Sequence, residues 1–160
     1  MTTLAVLCYV VRDGRVLLIE KRRGFGAGKL NAPGGRVEPG ESPERAAVRE
    51  CEEETGLRPS RLRRAGVLEF YSRGGEPDWV VHVFVASDFS GEARPSDEAV
   101  PRWYPVSALP YDRMWEDDRH WLPYVLAGGV VRARFGYDPS YSRLLWYSVE
   151  FRAPGVSLRR

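Results

Sequence analysis

The chain has 160 residues, with 24 Lys and Arg against 22 Asp and Glu and two cysteines. That length fits one domain, residues 1–160, with a core large enough to fold without a disulfide or structural metal. The near-balance of charge, +2 overall, argues against a nucleic-acid partner. Two cysteines outside any CxxC spacing point to a reducing, cytoplasmic setting.

In chain order, LAVLCYVV (residues 4–11) and RVLLIE (15–20) flank RDG and predict a β-hairpin. The first run is too short to span a bilayer and no basic n-region precedes it, so no membrane role is expected. A helix is predicted over residues 43–55. GVLEFYS (66–72) and DWVVHVFVAS (78–87) predict a second hairpin, and VVRARF (130–135) with RLLWYSVEF (143–151) a third. Between them, residues 118–127 predict a second helix, ended by Gly128-Gly129 and weakened by Pro123, since proline costs a helix interior about 3 kcal/mol. Many strands with two helices indicate an α+β sandwich on a mixed sheet.

The stretch GRVEPGESPERAAVRECEEETGL (35–57) concentrates seven glutamates in 23 residues. Ser42 suits an N-cap, Pro43 the first helical position, Glu44 the positive end of the dipole, and Gly56 the left-handed stop. Glu50, Glu53 and Glu54, at i, i+3 and i+4, fall on one helix face, while Glu52 points away. A solvated acidic face is the ordinary reading of such a run. Hard oxygen donors at this density also suit Mg²⁺ or Mn²⁺ shared with substrate phosphates.

The same stretch resembles the Nudix box, G-x5-E-x7-R-E-U-x-E-E-x-G-U, through Gly35, Glu41, Arg49, Glu50, Glu53, Glu54, Gly56 and Leu57. Seven fixed identities would coincide by chance roughly once in 10⁸ windows. Cys51 stands where the pattern has an aliphatic residue. A free cysteine packs as a small hydrophobe, so it is expected beside Ala47 against the sheet, with no redox role. The resemblance implies the Nudix fold, an α/β/α sandwich with a mixed central sheet. It also implies a divalent-metal hydrolase of nucleoside diphosphates linked to another group. Glu50, Glu53 and Glu54 would hold metal with Gly34, and Arg49 would steady the helix through ion pairs.

KRRGFGAGKLNAPGG (21–35), SDE (96–98), HVFV (82–85) and MWEDDRHWLP (114–123) are similar to the branch of that family whose mammalian members hydrolyse oxidised purine nucleoside triphosphates. The likeness implies base contacts from Asn31, Asp117 and Asp118, base stacking on Trp115, a substrate lysine at Lys21 and a further metal carboxylate at Glu98. Pro33, Val6 and Trp79 depart from that pattern beside the base pocket. The residues support this reading independently. Two adjacent aspartates can cap a helix or simply be solvated. Beside a tryptophan they can instead share one proton, so that the neutral acid donates to a purine edge while the ionised one accepts. Asn31 adds an amide donor and acceptor.

GFGAGKL is not a P-loop, because its spacing is one residue short and Leu30 replaces the hydroxyl. It is expected at the pocket rim. His82 reads as a core or rim histidine, and His120 lacks a partner at zinc-ligand spacing. Trp103, Tyr104, Trp146 and Tyr147 read as packing, and Leu158–Arg160 as a solvated basic end.

The expected activity is Mg²⁺-dependent hydrolysis of purine nucleoside triphosphates, 8-oxo-dGTP and 2-hydroxy-dATP among them, to monophosphate and pyrophosphate, a nucleotide-pool sanitation role. Glu54 is the first choice of base, and the partner is a small nucleotide. A monomer is expected, with a dimer left open. The competing readings are a Nudix hydrolase of dinucleoside polyphosphates or nucleotide sugars, and a Nudix-fold sensor without turnover. The intact glutamate set argues against the sensor.

Overall fold

β1 (Thr3–Arg12) organises the layers, because its side chains alternate between two helices. Val6, Cys8 and Val10 pack with Ala46, Ala47 and Cys51 of α1 (Pro43–Thr55), and with Leu57 and Phe84. Ala5 and Tyr9 face the other way, into the cluster that holds Trp121, Leu122 and Val125 of α2 (Asp118–Leu126). The computed structural model describes residues 1–154, so the basic end Leu158–Arg160 lies outside the described residues.

The remaining strands are β2 (Arg15–Lys21), β3 (Leu30–Asn31), β4 (Gly34–Arg36), β5 (Arg58–Tyr71), β6 (Trp79–Ser90), β7 (Ala99–Pro105), β8 (Val130–Tyr137) and β9 (Leu144–Arg152). The sheet order is β3-β2-β1-β6-β5-β8-β9, with β4 also on β1 and β7 also on β2. β1 with β6 and β5 with β8 are parallel and the other pairs antiparallel, so the sheet is mixed as expected. Among the described residues no helix is long and apolar enough to cross a membrane.

The first predicted hairpin needs correction. β1 and β2 pair only next to their turn, at Val11–Val16 and Arg12–Arg15. Further along, β4 takes the edge of β1, with Ala5 to Leu7 facing Arg36 to Gly34. β2 swings away and pairs along its whole length with β7, a strand that the sequence did not announce. The other two hairpins form, but β5 begins at Arg58, eight residues before the predicted start. RPSRLRR carries too many charges to read as a strand. A bulge between Arg64 and Gly66 lets the strand carry this polar half and its buried half in one ladder. α2 accommodates Pro123, and the Arg63 guanidinium donates to the Val125 and Gly129 carbonyls at the helix end, at 2.7 and 3.1 Å.

Candidate active site

The helix of the glutamate segment forms for local reasons. Ser42 Oγ accepts the Arg45 N–H at 3.2 Å, and Gly56 takes φ +84° and donates its N–H to the Glu52 carbonyl. The loop before it is pressed against β1. A Cβ on Gly34 would run into the Val6 carbonyl oxygen, and one on Gly35 would lie 2.6 Å from the Glu50 carboxyl.

Arg49 binds this loop to the helix. Its guanidinium grips both oxygens of Glu41 at 2.8 and 3.0 Å, donates to Glu50 at 2.7 Å and to the Arg36 carbonyl at 3.1 Å, and lies 3.5 Å from Glu53. These bonds hold the Glu41 carboxyl down at about 2. Glu54 behaves oppositely. Only 8 % exposed, it accepts the Gly34 N–H at 2.8 Å, yet burial and the nearby Glu50 and Glu98 push its pKa up to about 7 against the pull of Lys21. Burial also raises Glu50. Glu53 is exposed, and Glu98 is exposed and 3.5 Å from Arg23. Glu52 pairs with Arg58 at 3.4 Å, away from the group.

Among the described residues no three acidic, histidine or cysteine side chains converge on one point as a ready cation cage. The donor chemistry nonetheless fits a hard divalent cation. Glu50 and Glu54 sit where charge is costly and hold their protons above the usual carboxyl range, a cost that a cation would offset.

Beside Glu54 and Lys21 opens a cavity of about 200 Å³, whose floor holds Asn31, Asp117 and Asp118 and whose walls include Trp79, Trp115 and Tyr137. The two aspartates do not cap α2. Asp117 adopts helical φ and ψ with no side-chain cap bond. Instead its carboxylate accepts Trp121 Nε1–H at 2.9 Å and the Tyr137 hydroxyl, which in turn accepts the Asp117 N–H at 3.1 Å. Both aspartates are buried. Burial and the Asp117 charge lift Asp118 well above the carboxylate range, so it is the neutral acid of the pair. Among the described residues its Oδ2 has no hydrogen-bond partner. Asn31 Oδ1 accepts the Ala32 N–H at 2.8 Å, which leaves its amide N–H₂ to donate into the cavity.

Trp115 is also placed against the cavity, with the Lys29 ammonium 5.1 Å from its ring centroid. The structure adds Phe25, which the sequence reading left as part of a glycine-rich rim. Its ring stands between Trp115, at 5.2 Å and 30°, and Trp79, at 6.5 Å and 14°. Tyr137, the last residue of β8, and Tyr141, in the β8–β9 connection, stand edge-on to Trp115. An aromatic inside GFGAG was the available signal for Phe25; nothing local marks Tyr137. Of the three departures, Val6 and Trp79 line the cavity, whereas Pro33 is buried and outside its lining. Cys51 packs beside Ala47 as expected.

A helix-borne glutamate set fixed to a glycine loop, on a mixed sheet between two helices, defines the class. The chain belongs to the NUDIX family, whose domain model matches residues 1–125. A Danio rerio protein named oxidized purine nucleoside triphosphate hydrolase is 45% identical over 77% of this chain and 79% of its own length. The Mus musculus protein of that name is 39% identical over the same shares. Among solved structures, the mutator MutT protein of Bacillus halodurans superposes with a TM-score of 0.80 at 27% identity, covering 92% of this chain and 97% of its own. Nudix hydrolases generally use divalent metal ions.

Proposed function

We propose that this chain hydrolyses purine nucleoside triphosphates, oxidised ones such as 8-oxo-dGTP and 2-hydroxy-dATP included, to the monophosphate and pyrophosphate, and so cleans the nucleotide pool. The observation that carries the reading is the buried Asp117–Asp118 pair on the floor of an aromatic-walled cavity whose mouth carries Glu54 and Lys21. A neutral Asp118 and the Asn31 amide offer donors and the ionised Asp117 an acceptor charge, a pattern suited to a purine edge. Trp115 supplies a stacking face worth about 1–3 kcal/mol whatever the base. Lys21 balances phosphate charge as a point cation.

Glu50, Glu53, Glu54 and Glu98, with Gly34, would hold Mg²⁺, for which Mn²⁺ can substitute. Bound there, the metal neutralises the triphosphate and lowers the pKa of a water. Glu54, which lines the cavity and accepts the Gly34 N–H, would orient the attacking water and accept its proton. Arg49 keeps Glu50 and the Gly34–Glu41 loop in place. Turnover of a substrate panel with Mg²⁺, read as pyrophosphate release, tests the proposal. Preference for oxidised purine triphosphates is expected, and faster turnover of dinucleoside polyphosphates or nucleotide sugars would replace it.

A further inference from the structure

Among the described residues two buried side-chain polar atoms lack a hydrogen-bond partner: Asp118 Oδ2 and the Tyr9 hydroxyl. Both belong to one neighbourhood. Tyr9 projects from the middle of β1 into the cluster beneath α2 and meets Trp121 edge-on, with centroids 5.9 Å apart. Trp121 in turn donates to Asp117, the residue next to Asp118. Burial first, and then the nearby Asp118 and Asp117 carboxyls, raise the Tyr9 phenol, which places it close to the pair. Asp118 Oδ2 is shut off from solvent as well as from protein partners. Its partner must therefore be another buried group or an enclosed water. A buried acceptor and a buried donor left unmade in the same place are each costly, and one contact or one enclosed water between them satisfies both.

We propose that Tyr9 is a positioning residue of the base site, donating its hydroxyl proton to Asp118 Oδ2 directly or through one shared water, so that Asp118 turns its other oxygen toward the nucleotide. The inference rests on the base-recognition reading above. Five titratable groups lie within electrostatic reach of the acid, Asp117 beside it, Tyr9 from β1, Tyr111 from the preceding turn, Tyr137 from β8 and Lys29 from the glycine-rich loop, and the Trp115 backbone also acts on it. Of these, Tyr9 alone carries a buried hydroxyl without a hydrogen-bond partner among the described residues. A donor to a carboxyl oxygen favours its ionised form. Removing the Tyr9 hydroxyl should therefore both loosen Asp118 and make it keep its proton to higher pH.

The test is equilibrium binding of dGMP, 8-oxo-dGMP and dCMP, followed by tryptophan fluorescence across pH, in wild type, Tyr9→Phe and Asp118→Asn. The products bind without turnover, which separates the measurement from catalysis. Tyr9→Phe keeps the ring against Trp121. It should weaken both purine monophosphates about 3- to 10-fold, the worth of one hydrogen bond, with dCMP affected less. The alkaline loss of purine binding should move up by roughly 0.5–1 pH unit. Unchanged affinities and pH profile, or equal losses on all three ligands, would overturn the role of Tyr9 while Asp118→Asn still cost purine preference. If Asp118→Asn left purine preference intact, the base reading itself would fall. A crystal structure of the wild type gives a second arm. It supports the inference if the two atoms lie in hydrogen-bond contact or share one water, and overturns it if each has a separate partner.

Discussion

The two ends of the site both raise carboxyl pKa values, yet they differ in what stands ready to relieve the strain. At the phosphate end, Glu50 and Glu54 lie near Arg49 and Lys21 and beside exposed Glu53 and Glu98. Their surroundings are open on one side, and a cation from solvent can replace the proton. At the base end, Asp117 and Asp118 are buried, with Trp121 and Tyr137 bonded to Asp117 and, among the described residues, no guanidinium bonded to either. There a proton is the cheapest counter-charge. The same chemical group is thus open to a cation from solvent at one end and holds its proton in an enclosed site at the other.

The largest effect that could break this contrast is at the phosphate end. Glu53→Gln and Glu54→Gln are each expected to lower kcat by at least ~10²-fold with Mg²⁺. Steady-state kinetics that showed only a KM change would remove them from the reaction. The next test sharpens the role of the proton. A carboxyl whose folded pKa lies above its unfolded value binds its proton more tightly in the fold. Glu54's contribution to the stability of the metal-free protein should therefore be fully present below the ordinary value near 4.5 and be lost as pH rises through about 7. The loss is on the order of 3 kcal/mol. Thermal melts should show it, with Mg²⁺ restoring stability above pH 7 and Glu54→Gln flattening the profile.

At the base end the expected cost is smaller. Asp118→Asn keeps the shape but removes the acid, and should raise KM for 8-oxo-dGTP about 5- to 150-fold, the equivalent of 1–3 kcal/mol, with a smaller loss on dCTP. Equal losses on both substrates would mean that the pair only supports α2. The smallest effect belongs to Glu52→Gln. That side chain is exposed, paired with Arg58 and turned from the cavity, so activity should be nearly unchanged and stability should move by less than about 0.5 kcal/mol. A loss comparable to Glu53→Gln would contradict the helix register.

How much could be read beforehand follows from the range of the forces. The box helix was legible to the residue, because Ser42, Pro43 and Gly56 act on backbone within one turn and because 100° per residue fixes which glutamates share a face. The mixed sheet and two opposed helices followed from pattern and resemblance. β7, the early start of β5 and the divergence of β2 from β1 did not, since each depends on which edge a distant strand has already taken. Asp117 and Asp118 stood out in sequence, but a helix cap was an equal reading of them. What the fold added was Tyr137, twenty residues on, and Trp121, both of which bond to the Asp117 carboxylate. Phe25 stands between two tryptophans for the same reason. Local chemistry decided which groups this chain carries and along which helix face they point. Burial, which only the assembled tertiary structure creates, decided which of those carboxyls hold their protons above the ordinary range.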